Sequence, residues 1–146
     1  MKQRRLFMAR LSGVVGVALA ASSVSAIRAH AAVNDRDAMA VAERMRQLAL
    51  EQGDRGYGAA VIKDRRVVAA SPSRVITRGD PTAHAETEAV RDAARALGTT
   101  DLSGCILYST SRACPMCEAA AYWGNIDGMI FGAGLTDAGA PQLHRC

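Results

Sequence analysis

The sequence predicts an α/β domain built as a three-layer α/β/α sandwich. Three observations point there: three segments read as helices, four short β-prone runs stand between them, and after an initial hairpin strand and helix alternate. The first helix runs from Asn34 to about Gln52, with Asn34 as its N-cap, Gly53 as its stop, and Val41, Met45, Leu48 and Ala49 as its inward stripe. Tyr57 to Lys63 and Arg66 to Ala70 form a hairpin across Asp64-Arg65, ended by Ser71-Pro72-Ser73. Arg74 to Gly79 is a loop. Asp80-Pro81 then offers an N-cap acid and a proline in the first helical position, opening a helix to Leu97 that Gly98 stops. Its inward face is Ala89, Val90, Ala93, Ala94 and Leu97. Cys105 to Ser109 is a buried strand, Pro115 opens a helix through about Trp123, and Met129 to Phe131 is the last strand. Thr136 to Pro141 reads as loop. Parallel pairings made through crossovers would set the strand-to-helix junctions at one end of the sheet.

Composition narrows what such a domain does. The chain has 146 residues, 49% hydrophobic and 22% charged, which excludes disorder and a polytopic membrane protein. Its formal charge of +4 invites a nucleic-acid partner until the charges are located. Lys2, Arg4, Arg5, Arg10 and Arg28 lie in the first 31 residues, which hold no acid, and the rest carries 13 basic against 14 acidic side chains. Arg65, Arg66, Arg74 and Arg78 read as a solvated basic face. No nucleic acid is expected as a partner. Arg4-Arg5, the weakly apolar run from Leu11 to Ile27 and the small-x-small site Ala29-His30-Ala31 resemble a twin-arginine export signal. The expected division is therefore residues 1–31 as signal peptide and 32–146 as the working domain, periplasmic or otherwise exported, with no stable membrane anchor after cleavage. Serines and glycines dilute the apolar run, and a permanent span wants about 20 predominantly apolar residues.

The chemistry concentrates at two predicted helix starts. His84 stands in the first turn of one, with Glu86 two residues on, and Cys114 and Cys117 in the first turn of the other. A Cys-x-x-Cys at a helix start puts both sulfurs on nearly one face, where the helix dipole favours thiolates. Adding one imidazole gives three protein ligands, the count of a catalytic zinc with its fourth position open. Sulfur and nitrogen donors favour zinc over magnesium or calcium, so one zinc ion per chain is expected. A structural site would need a fourth ligand. His30 falls in the signal, His144 and Cys146 in the tail, and Cys105 in a strand core. Bound zinc lowers the pKa of its water from about 15.7 to roughly 7, and Glu86 stands where it can collect and return the proton.

The pattern His84-Ala85-Glu86, then Ala113-Cys114-Pro115-Met116-Cys117 after 26 intervening residues, resembles the H-x-E…P-C-x-x-C signature of the zinc-dependent cytidine-deaminase-like superfamily. Asp80 to Glu86, with Tyr122-Trp123 after the cysteines, is most similar to guanine deaminases and their nucleoside-deaminase relatives. The resemblance implies a fold of the cytidine deaminase type, zinc ligands His84, Cys114 and Cys117, and Glu86 as proton shuttle. It further implies that the backbone N–H of Ala85 touches the substrate ring, that Ser73 stands at the base-reading position, and that Trp123 lines the pocket. Its activity would be hydrolytic deamination of a guanine-like base or nucleoside by a homodimer.

This chain departs from the pattern at three places. Ser73 replaces the usual Asn, and a hydroxyl cannot make the two-point contact of an amide. Arg112-Ala113 replaces Glu-Pro before the first cysteine. Relatives continue with a further helix and strand, whereas this sequence stops about 15 residues after Phe131, so a C-terminally shortened fold is expected. Two rival readings follow: a deaminase of a pyrimidine or other aminated heterocycle, and a non-catalytic, zinc-stabilised remnant. Whether Cys105 and Cys146 pair stays open, because spacing alone gives no distance.

Overall fold

The computed structural model describes residues 32–143. The proposed signal, residues 1–31, and the last residues, 144–146, lie outside them. The chain runs α1 (Asp35–Glu51), β1 (Gly58–Lys63), β2 (Arg66–Pro72), α2 (Val75–Arg78), α3 (Ala85–Leu97), β3 (Cys105–Ser109), α4 (Pro115–Trp123), β4 (Gly128–Phe131) and β5 (Thr136–Gly139). No helix among the described residues is long and apolar enough to cross a membrane.

One mixed five-stranded sheet, ordered β2-β1-β3-β4-β5, forms the middle layer. β1 lies antiparallel to both β2 and β3, β3 is parallel to β4, and β5 returns antiparallel to β4. Strand alternation sorts side chains to the two faces. Ala59, Val61, Cys105, Leu107 and Met129 face Ala85, Ala89, Val90 and Ala93 of α3 and Ala121 of α4. Ala60, Ile62 and Tyr108 face Ala38, Met39 and Ala42 of α1. This is the predicted sandwich. α1 seats very close to the sheet: a side chain at Gly58 would collide with the backbone at Ala42 and Arg46.

Local chemistry explains the helix and turn boundaries. Asn34 caps α1 reciprocally, accepting from the Asp37 N–H at 3.0 Å while its own N–H donates to the Asp37 carboxylate at 3.3 Å. The hairpin turns on Asp64 (φ 49°) and Arg65 (φ 59°), both left-handed, as a two-residue turn between twisted strands demands.

Five expectations need correction. The stripe of α1 is rotated: Ala38, Met39, Ala42 and Ala49 are buried, while Val41, Met45 and Leu48 are half-buried. Leu97, in the last turn of α3, is 38% exposed and so lies outside the buried core. α3 begins at Ala85 and not at Pro81. The Asp80 carboxylate accepts from the N–H and hydroxyl of Thr82 at 2.8 and 2.7 Å, closing a local turn that competes with the helix. The supposed loop at 74–79 contains α2, stopped by Gly79 at φ 61°. The supposed loop at 136–139 is β5, whose residues are all exposed and so carry no hydrophobic alternation to read.

Candidate metal centre

Two strand ends deliver the site. β2 leads through residues 73–83 to His84, and β3 leads through residues 110–113 to Cys114. His84 is the N-cap of α3 in extended conformation (φ −66°, ψ 150°), but its side chain makes no capping hydrogen bond. Cys114 is the N-cap of α4 (φ −75°, ψ 166°), again without a side-chain cap, and Pro115 holds the first helical position. Both ligating side chains are thus released from helix capping and available to each other. Cys117 follows within the first turn and is fully buried.

The three ligand atoms converge. His84 Nδ1 lies 3.7 Å from Cys114 Sγ and 3.6 Å from Cys117 Sγ, and the sulfurs are 3.6 Å apart. A tetrahedral zinc, with Zn–S near 2.3 Å and Zn–N near 2.0 Å, separates two sulfurs by about 3.8 Å and a sulfur from a nitrogen by about 3.5 Å. The spacing fits that ion. Among the described residues these three form the whole group of convergent ligands, and Cys105 is a free thiol buried in the core at the other end of β3. Cys146 lies outside the described residues.

Glu86 completes the centre without joining the ligands. Its Oε2 is 3.6 Å from Cys117 Sγ, and the side chain is buried. Burial pushes its carboxyl above the ordinary glutamate value, against the opposing pull of its own N–H, Cys117 and His84. The Cys117 thiol is likewise pushed up, by burial first and by the Glu86 charge second. A thiolate there needs a cation beside it, as a metal would provide. Thr87, a turn along α3 from His84, donates its hydroxyl to Cys117 Sγ at 3.4 Å. The i, i+3 spacing from His84 could have revealed Thr87 in the sequence.

The remaining expected residues are placed less uniformly. Ala85 is buried as the first residue of α3, where a backbone N–H has no partner within the helix. Ser73 is buried, and its hydroxyl donates to Asp54 at 2.8 Å. Trp123 ends α4, 72% exposed and edge-on to Tyr122, about 13 Å along the axis from Cys114 at roughly 1.5 Å per residue. The structure does not bring it to the ligand cluster.

Two buried carboxylates that sequence reasoning missed hold the segment leading to His84. Glu88, 1% exposed, receives Arg74 (2.8 Å), Arg78 (2.5 Å) and Arg91 (2.9 Å). Burial alone would raise its carboxyl, but the arginines hold it below the ordinary value. Arg74 and Arg78 therefore form an ion-pair network and not the free basic face expected. Asp54 accepts from the N–H groups of Ile76 (3.0 Å) and Thr77 (2.8 Å) and from the Thr77 hydroxyl (2.9 Å), beside Ser73 and its neighbour Arg55.

Comparison with known proteins agrees with this geometry. The family described as "Cytidine and deoxycytidylate deaminase zinc-binding region" matches residues 32–133. Guanine deaminase of Bacillus subtilis is 43% identical over 82 residues, which is 56% of this chain and 53% of that protein. A tRNA-specific adenosine deaminase of Aquifex aeolicus is 39% identical over 93 residues, 64% of this chain and 62% of that one. The X-ray structure of the Bacillus subtilis guanine deaminase superposes with a TM-score of 0.65 at 35% identity, covering 69% of this chain and 64% of the other. The matched region thus spans between half and two thirds of each relative's length.

Proposed function

The chain belongs to the cytidine and deoxycytidylate deaminase zinc-binding family, and from that premise we propose that it hydrolytically deaminates a small, guanine-like purine base or its nucleoside, releasing ammonia. The observation that carries the reading is the convergence of His84, Cys114 and Cys117 at zinc spacing with the Glu86 carboxylate 3.6 Å from one sulfur. Zinc, when bound, supplies Lewis acidity that activates a water at neutral pH.

The chain's own groups do the rest. Glu86, partly desolvated, takes one proton from the attacking water and passes it to a ring nitrogen, then takes the second from the new hydroxyl on the ring carbon and passes it to the departing amine, which leaves as ammonia, so the carboxylate ends as it began. The Ala85 N–H, unpaired within its helix, is a donor for the ring edge. Ser73 has spent its one proton on Asp54, so toward a base it offers only lone pairs. That favours a ring presenting an N–H at this point.

Two further proposals rest on the sequence and the resemblance. Export follows from Arg4-Arg5 and Ala29-His30-Ala31, and a homodimer from the kinship with the superfamily. Small-molecule substrates are favoured over nucleic acid, since Arg74, Arg78 and Arg91 are engaged by Glu88.

The test is ammonia release by the zinc-loaded chain from guanine, adenine, cytosine and their nucleosides. Turnover of a purine supports the proposal. Turnover of cytosine alone would move the assignment to a pyrimidine, and no release from any substrate would make the chain a zinc-stabilised remnant.

A further inference from the structure

We infer that Asp54 is the positioning residue of the metal site, because its buried carboxylate fixes the strap of residues 73–83 whose far end is His84. The inference rests on His84, Cys114 and Cys117 being the zinc ligands. Asp54 lies 30 residues before His84 and outside every motif noted in the sequence. Its backbone N–H donates to the Ala49 carbonyl near the end of α1, at 2.8 Å, so the residue is anchored to that helix. One carboxylate oxygen accepts from the Ser73 hydroxyl, and the other from the Ile76 and Thr77 N–H groups and the Thr77 hydroxyl. Four of the five hydrogen bonds that its carboxylate accepts therefore come from the strap, the fifth coming from the Arg55 N–H.

The strap is closed on itself by a 2.9 Å hydrogen bond from the Arg74 N–H to the Ala83 carbonyl, one residue before His84. The Asp80 N–H to the Val75 carbonyl at 3.1 Å braces its middle. Holding Ser73, Ile76 and Thr77 thus holds Ala83, and with it the backbone from which the imidazole projects. His84 makes no capping hydrogen bond of its own that could do this instead. Glu88 fastens Arg74 and Arg78 of the strap to α3, but through half-exposed guanidinium groups on flexible stems. Asp54 acts on the backbone itself. The ligand sulfurs sit at the start of α4 and His84 at the end of the strap, so a displaced strap moves one ligand relative to the other two.

The experiment measures zinc release from the zinc-loaded full chain to a chromogenic chelator in excess, which needs no substrate. Asp54→Ala should release zinc about tenfold faster than wild type. Asp54→Asn, which keeps one acceptor oxygen, should fall between them, and Thr77→Val should show a smaller acceleration. Val61→Ala, a cavity in β1 remote from the strap, controls for general loss of stability. If Asp54→Ala does not fold, the Asp54→Asn and Thr77→Val pair carries the test. Wild-type release rates in the Asp54 variants, or equal acceleration by Val61→Ala at matched melting temperature, would overturn the assignment. A wild-type chain that takes up no zinc overturns instead the ligand reading beneath it.

Discussion

Replacing Glu86 by Gln removes a proton carrier and a buried charge in one nearly isosteric change, and the two losses have opposite signs. The carboxylate is 5% exposed and sits 3.6 Å from the Cys117 sulfur. A positioned general acid–base contributes about 10²- to 10⁴-fold, or roughly 3 to 5 kcal/mol of barrier, so turnover should fall by that factor. Zinc should stay bound, because the three ligands are untouched. In the metal-free protein the same change should stabilise. A carboxyl whose folded-state pKa lies above its unfolded one destabilises the fold in full at pH above that raised value, and the penalty shrinks as pH falls from there and is gone below the unfolded pKa. Relief of about 1 kcal/mol, the lower end for an imperfectly compensated buried polar group, corresponds to a rise of about 4 °C in a domain of this size. Ammonia release gives the first quantity, chelator titration the second, and thermal melts of metal-free protein at pH 7 and pH 4 the third. Turnover within tenfold of wild type would refute the proton-carrier role. Loss of zinc on Glu86→Gln would instead make Glu86 a ligand, and a lowered melting temperature at pH 7 would refute the account of its burial.

Three more outcomes follow from other parts of the molecule. Cys117→Ser replaces a buried soft donor at zinc spacing, and zinc affinity measured by competition with a chelator should drop at least a hundredfold while far-ultraviolet circular dichroism is kept. Arg65→Gly relieves a side chain held at φ 59° in the hairpin turn and should raise stability by about 1 kcal/mol in urea melts, with an unchanged m-value. The carboxyls of Asp54 and Glu88 are both held below their ordinary values in the fold. Their stabilisation is complete above the unfolded values of about 4 and is lost as pH falls through the lower folded values, so urea midpoints should be level from pH 7 to 5 and drop below about pH 4.

The metal ligands were legible because their chemistry is local. His84, Cys114 and Cys117 each announce a donor atom, and the helix starts that orient them carry local signals such as Pro115. The sandwich was legible for a similar reason, since strand alternation at Ala59 to Ile62 and Cys105 to Tyr108 decides which face each residue takes. What escaped was set by partners distant in sequence. Asp54 reads as an ordinary turn acid after Gly53, and only folding brings Ile76 and Thr77 to it. Glu88 reads as a solvated helix residue until Arg74 and Arg78 arrive from α2. The start of α3 was misplaced because Asp80 has two local uses, helix cap and side-chain turn, and Thr82 selects the second. β5 has no apolar residue facing a core, so its pairing with β4 leaves no trace in hydropathy.

That last strand bears on how the molecule behaves in concentrated solution. Thr136 to Gly139 offers a neighbouring chain only four residues of backbone, interrupted by a register shift opposite Met129 and Ile130. The Asp137 carboxylate accepts the Gly139 N–H at 2.7 Å and places a negative charge on the rim, while Gly139, at φ 75°, bends the chain out of plane. Lateral growth of the sheet into an aggregate finds no straight, uncharged template on this flank.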